Sequence, residues 1–301
     1  MSPPNSSLPH VRALICHRDI DLGILCLGSL YRFSADPLQI VLHDDGSLTA
    51  DDRSRLLDAL PNVILISREE ADAVILPLLR NYPRCLAFRM RNPTGLKLID
   101  AAYFAQGDII VADPDVLFLR PFKGAFHWPS DAVQSVFLHD CFESFCLRPW
   151  QTRGLTIRSR YNSGLMMIRR QHFDLMTMEK LVETIETNPG FINNTPYQWF
   201  LEQTCWAAIA SRLEARRWNP QQMRVIDPQA KYDEALVAGH FVGSVRPLLY
   251  RFKELAKALG MADRPPVEIG FVPAYLYSTP RFLATRLVNR ARRILAYPDR
   301  R

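Results

Sequence analysis

The six cysteines, Cys16, Cys26, Cys85, Cys141, Cys146 and Cys205, form no C-x-x-C pair and no ladder of close spacings. This leaves no framework for a structural zinc site or a disulfide-stapled domain. Most of them sit in apolar runs and read as small core residues in a reducing compartment. No segment reaches the ~20 apolar residues of a membrane-spanning helix. The opening MSPPNSSLPH lacks the apolar stretch of a secretory signal, so residues 1–10 are expected to be a disordered tail. Internal repeats are missing, and so is any low-complexity block beyond that tail. No strong charge excess exists either: 37 Lys and Arg face 31 Asp and Glu, for a net +6. The basic positions lack the interleaved aromatics of single-strand binders, so nucleic acid is not an expected partner.

What is present is a chain of 301 residues, 48% of them apolar, enough for a sizeable core in one large domain or two smaller ones. Apolar runs predict strands at 11–17, 38–43 and 62–67, with helices over 21–33, 50–60 and most of 71–82 between them. Ser47 or Thr49 can cap the second helix. A helix over 94–105 leads to the strand DIIVA. Strands are also predicted at 132–140, 161–169 and 235–244, and helices at 173–188 and 196–213. Strands alternating with helices at this spacing argue for an α/β sheet with parallel strands. In open α/β sheets ligands sit beyond the carboxyl ends of the strands. His17, Asp44, Asp45 and Asp113 fall at such ends.

The stretch GDIIVADPDVLFLRP places Asp113 and Asp115 between two apolar runs. Carboxylates at the junction of two buried strands are costly unless something pairs with them. In extended chain, residues i and i+2 point to the same side, so both can face one point, where a hard divalent cation would offset their repulsion. A solvated Asp-Pro-Asp turn is the plainer alternative. HFVGSVRP adds His240 at the end of an apolar strand, then Gly243 and Arg246. A neutral imidazole ligates metals and a guanidinium neutralises phosphate. Gly243 permits a close backbone approach or an unusual dihedral. Asn162, Ser163 and Gly164 open a buried strand and can bind sugar hydroxyls or form a simple turn. Glu202 and Gln203 interrupt the very apolar WFLEQTCWAAIA and either face solvent or point into a cleft.

This ordered set, Asp113-Pro-Asp115, Asn162-Ser163-Gly164, Glu202-Gln203 and His240-x-x-Gly243-x-x-Arg246-Pro247, resembles the GT-A glycosyltransferases. Among them it is most similar to the retaining family 8, which includes glycogenin and bacterial lipopolysaccharide galactosyl- and glucosyltransferases. The resemblance spans roughly residues 11 to 250. It implies a single GT-A catalytic domain over 11–250, a Rossmann-like mixed sheet flanked by helices, followed by a basic helical segment over 251–301. It implies a nucleotide-sugar donor, usually a UDP-hexose, and Mn²⁺ or Mg²⁺ held by Asp113, Asp115 and His240. Donor-binding residues would be His17, Asp44, Lys97, Asp113, Asn162, Ser163, Gly164, Gly243 and Arg246. The catalytic pair would be Gln203 and Glu202. The family pattern has Lys where this chain has Arg246, Asp where it has Glu202, and an arginine where it has Gly95, although Arg89 and Arg91 lie nearby. Front-face attack by a glycan or lipid-linked acceptor, with departing phosphate as base, is the expected route.

Two alternatives stay open. HDDGS at 43–47 and ARRW at 215–218 resemble elements of the inverting family 2 GT-A enzymes. A transferase fold can also serve as an inactive nucleotide-sugar-binding protein. The last thirty residues hold seven arginines and one acid, Asp299. A helix over 279–297 would place Leu283, Leu287, Ala291, Ile294 and Leu295 on one side, with Arg281, Arg286, Arg290, Arg292 and Arg293 covering much of the rest. It can pack its apolar side on the catalytic domain, or lie in an anionic membrane interface. The expected location is the cytoplasm, with peripheral contact at the inner membrane face in the second case.

Overall fold

The computed structural model describes residues 8–192 and 198–296, with 285, 289 and 291–296 as backbone only. Residues 1–7 of the expected tail and 196–197 of the expected helix lie outside the described residues, and His10 already opens the first strand. Strands β1 (His10–Ile15), β2 (Gln39–Asp44), β3 (Ile64–Ile66) and β4 (Ile109–Ala112) run parallel in the order β3-β2-β1-β4. Helices α1 (Ile20–Phe33), α2 (Ala50–Ala59), α3 (Arg68–Leu79), α4 (Pro83–Arg91) and α5 (Pro93–Tyr103) connect them. Local chemistry fixes their starts. Thr49 with Asp52 and Ser67 with Glu70 form capping boxes, each cap contributing about 1 kcal/mol. Pro83 and Pro93 sit in first turns, where the missing N–H costs nothing.

Beyond β4 the sheet stops being parallel. The chain leaves β4 through Asp113-Pro114-Asp115 with no helix to carry it back across the sheet, and a parallel continuation needs such a crossover. Strand β5 (Val116–Phe118) therefore pairs antiparallel with β11 (Ala238–His240). After the short β6 (Phe122–Lys123), β7 (Ser135–His139) and β8 (Tyr161–Ile168) pair antiparallel with each other, and β8 pairs antiparallel with β4. Strands β9 (Ala215–Trp218) and β10 (Met223–Val225) join β7 in parallel, and β11 joins β10. The result is a mixed sheet with helices on both sides.

β8 is buried at all eight positions and splits its residues between two cores. Tyr161, Met166 and Ile168 pack with Phe88 of α4, Leu98 of α5, Met178 of α6 (Leu175–Glu186) and Trp206 of α7 (Leu201–Ser211). Leu165 and Met167 pack with Ala13, Leu42 and Leu27 on the opposite face. A third cluster joins Leu117 and Phe241 to Leu249 and Phe252 of α8 (Arg246–Ala258).

The segment after residue 250 is not wholly helical. It carries β12 (Val267–Glu268), paired with β6, and β13 (Phe271–Pro273), which extends the main sheet against β9. It ends in α9 (Thr279–Ala296). Among the described residues no helix is long and apolar enough to cross a membrane.

Candidate active site

The residues of the two acidic strand ends and of HFVGSVRP meet because β5 and β11 are neighbours, with His240 opposite Val116. Asp113, Asp115 and His240 each offer one ligand atom, and these atoms lie within 4.8 Å of one another. His240 Nε2 faces Asp115 Oδ1 at 2.9 Å and Asp113 Oδ2 at 3.7 Å. Its Nδ1 lies 2.9 Å from Asn162 Oδ1, which also accepts from the Gly164 amide. An amide oxygen only accepts, so Nδ1 carries the hydrogen and Nε2 is aimed at the carboxylates.

Such a backing hydrogen bond is what orients a metal-ligating histidine. Two carboxylates and one imidazole suit Mn²⁺, and the carboxylate oxygens also suit Mg²⁺. The residues present therefore fit a divalent cation. Burial disfavours a charged His240, yet Asp115 and Asp113 outweigh it and raise its pKa. Burial would likewise raise Asp115, but His240 and Arg246 hold it below the usual carboxylate range. The carboxylates that attract a proton to Nε2 would attract a divalent cation for the same reason.

Lys97 comes in from α5. Its Nζ is buried and lies 2.7 Å from Asp113 Oδ1, 3.4 Å from Ser163 Oγ and 3.9 Å from Glu202 Oε1. Burial opposes its charge, and Asp113 and Glu202 restore it, leaving the pKa raised. Glu202 and Gln203 open α7 and are buried, facing inward. Glu202 Oε2 accepts from Ser163 Oγ at 2.7 Å. Gln203 Oε1 accepts from Ser163 N and Asn162 Nδ2, and its Nε2 donates to Ser144 O at 2.8 Å. Burial raises the Glu202 pKa against the pull of Lys97. Arg246 forks between Asp115 Oδ2 (3.1 Å) and Asp19 Oδ1 (3.0 Å).

Three expected donor residues stand apart from this network. His17 is exposed and its Nδ1 meets Asp52 at 2.6 Å. Asp44 is buried, and its carboxylate is occupied by the Gly46 and Leu48 amides and by Arg53, so it shapes the HDDGS turn. Gly243 has φ +59° with open space where a Cβ would go. Its left-handed backbone favours glycine.

Arg89 and Arg91 do not reach the site. Arg89 is buried in a two-pronged pair with Asp100 and a contact to Asp72, and Arg91 pairs with Glu186. A Cβ on Gly95 would meet the α4 backbone at 2.7 Å, so no side chain fits there. ARRW is β9, separated from β11 by β7 and β10. Asp19 and Asp140 are site residues that motif reading missed. Asp140 is buried, with Oδ2 at 3.3 Å from Asn162 Nδ2, and burial raises its pKa despite its hydrogen bonds. It ends the predicted 132–140 strand, so the strand-end rule that marked Asp113 marks it too.

No protein-family model and no curated protein matches the sequence. The fold is that of the GT-A glycosyltransferases, and the structural neighbours are glycosyltransferases. Galactosyltransferase LgtC in complex with donor and acceptor sugar analogues aligns at a TM-score of 0.54 and 14% identity, over 85% of this chain and 97% of that one. An active-site glutamine-to-glutamate mutant of LgtC gives 0.53 and 14%, over 83% and 95%. Mouse xyloside xylosyltransferase 1 in its apo form gives 0.52 and 12%, over 79% and 98%. At these identities the likeness is one of fold.

Proposed function

We propose that the chain is a metal-dependent, retaining glycosyltransferase related to family 8. It moves a hexose from a UDP-sugar to a glycan or lipid-linked acceptor. The observation that carries the reading is the Asp113-Asp115-His240 cluster, with its imidazole backed by Asn162 and with Lys97 and Arg246 beside it. These are the groups a leaving nucleoside diphosphate needs. Asp113, Asp115 and His240 would hold Mn²⁺ or Mg²⁺, which when bound neutralises charge developing on the diphosphate. Lys97 and Arg246 supply fixed positive charge at the same place. Asn162, Ser163 and Gly164 line the sugar side. Gln203 presents its amide oxygen there, and Glu202 holds Lys97 and Ser163 in position. Attack by the acceptor on the face the diphosphate leaves requires chiefly positioning.

The same reading places the protein at the cytoplasmic membrane face. It is supported by the exposed Leu283, Leu287 and Val288 on α9, interspersed with Arg281, Arg286 and Arg290. Phe282 anchors the start of that helix, buried against Trp150 and Tyr277. The test of the central claim is a panel of nucleotide sugars read by thermal shift with Mn²⁺ present. UDP-hexoses are expected to raise the melting temperature only with the cation, because a ligand of the folded state alone stabilises it. A panel with no cation-dependent shift overturns the proposal.

A further inference from the structure

Of the two cations beside the metal cluster, Lys97 is fixed by burial and Arg246 is not. The Arg246 side chain is 32% exposed and reaches the site from the first residue of α8. A long side chain with that much access to solvent keeps its rotamer freedom unless something ties it down. Arg246 Nη1 donates to Asp19 Oδ1 at 3.0 Å and Nη2 to Asp19 Oδ2 at 3.3 Å, a two-pronged pair across the end of the guanidinium. Its side edge, Nε and Nη2, donates to Asp115 Oδ2 at 3.3 and 3.1 Å. The planar fork lets one guanidinium serve two carboxylates on two different edges.

The two carboxylates are not equivalent. Asp115 belongs to the Asp113-Asp115-His240 set, and a carboxylate that shares its charge with a cation holds a guanidinium less strongly. Asp19 has no such competing duty. It stands at the N-cap of α1, where an aspartate ordinarily accepts from the helix's first backbone N–H groups. Its side chain makes no such bond and turns to Arg246 instead. Its backbone is fixed, with Asp19 N donating to Cys16 O at 3.1 Å and the buried Ile20 following. Burial would raise its pKa, yet hydrogen bonds from Arg18 and Arg246 hold it below the usual carboxylate range. Arg18 reaches the same two oxygens at 3.2 and 3.1 Å, but its side chain is 79% exposed and contributes little hold.

We propose, resting on the transferase reading, that Asp19 is a positioning residue: it grips the end of the Arg246 guanidinium so that the Nε–Nη2 edge is the one offered to the diphosphate. A phosphate takes such an edge through two parallel N–H···O bonds. Asp19 touches neither the metal cluster nor, on this assignment, the diphosphate. It acts through Arg246 by removing the freedom that binding would otherwise have to remove. Its loss therefore shows in affinity for the diphosphate and not in affinity for the cation.

Calorimetric titration of the full chain with UDP at saturating Mn²⁺ tests the assignment, with a titration of Mn²⁺ alone beside it. Asp19→Asn keeps the shape and should weaken UDP by about tenfold, the size of one charged hydrogen bond, while affinity for Mn²⁺ alone stays nearly constant. Asp19→Glu can still reach the guanidinium and should recover part of the loss. In an Arg246→Ala background the Asp19→Asn change should have no further effect, because two residues acting as a unit are not additive. UDP affinity unchanged in the folded Asp19→Asn variant overturns the proposal. So does a full tenfold loss that persists without Arg246, which would make Asp19 a support for α1 alone. So does an equal loss of Mn²⁺ affinity, which would place Asp19 in the service of the cation. A wild-type chain that binds no UDP with Mn²⁺ present brings down the UDP-sugar reading and this inference with it. Wild-type binding with an inert Asp19 removes the inference and keeps that reading.

Discussion

A Cβ placed on Gly164 would lie 2.1 Å from Cε1 and 2.2 Å from Nδ1 of His240. The backbone of β8 is thus the floor on which the imidazole rests. The ring has little room to yield, since Asn162 holds one nitrogen and the carboxylates face the other. Gly164→Ala should stay folded at a cost of about 1–3 kcal/mol for overpacking. It should also lose about ten- to a hundredfold in Mn²⁺ affinity, the usual effect of disturbing a ligand's support. Calorimetric titration with Mn²⁺ measures this. An unchanged affinity would remove His240 from the metal set.

Asp115 is buried between His240 and Arg246, so Asp115→Asn removes a ligand while keeping the shape. Transfer should be abolished with the circular dichroism spectrum unaltered. Activity should also vanish with excess chelator and return with Mn²⁺. Turnover undiminished by chelator would sink the metal hypothesis.

Gln203 touches Asn162 and Ser163 and faces inward, not toward solvent. If its amide acts on the sugar as charge develops, Gln203→Ala should lower kcat by about tenfold or more and leave donor affinity nearly constant. Wild-type kcat in the folded variant would reduce the residue to packing.

Stability should fall with acid. Burial, then Arg12, depress His43 to about 3, and His139 is depressed to about 3 as well. Unfolded histidines take up a proton near pH 6.5 while these two stay neutral in the native state. Their contribution is therefore complete above about pH 6.5 and is lost as pH falls toward 3, by up to about 1.4 kcal/mol per histidine per pH unit. Urea unfolding at pH 7, 6 and 5 should show the slope, and His43→Gln should remove one proton's share of it. The same slope in the variant would mean that His43 is not the group responsible.

Leu283, Leu287 and Val288 are exposed on α9, so the expected packing of that side on the catalytic domain is not what these residues do. The residues expected farther along, Ala291, Arg292, Arg293, Ile294 and Leu295, are described by backbone alone. Full-length protein should sediment with anionic vesicles at low salt and be released at high salt, and a chain ending at residue 278, which keeps β13 and removes α9, should not sediment. Equal sedimentation of the two would make the helix structural only.

Periodicity and strand-end polarity exposed much of the framework. The paired runs around Asp113 and Asp115 are β4 and β5, Thr49 caps α2, and Pro247 sits in the first turn of α8. β9 escaped notice because Arg216 and Arg217 give it no apolar alternation, and its place depends on β7 and β13. Asp19 could not be found from its neighbourhood, since its partner Arg246 is 227 residues away. Asp44 shows the converse, since its carboxylate is held by its own turn and by Arg53. A strand-end carboxylate looks the same in sequence whether it waits for a ligand or closes its own turn.

The fork of Arg246 has a mechanical consequence. One guanidinium joins the loop after β1, the exit from the Asp113-Pro114-Asp115 turn and the first residue of α8. These three segments come from distant parts of the chain and share a single pivot. Whatever draws that guanidinium aside loosens all three together, so a diphosphate arriving there would be felt at once by the helix that walls one side of the third core.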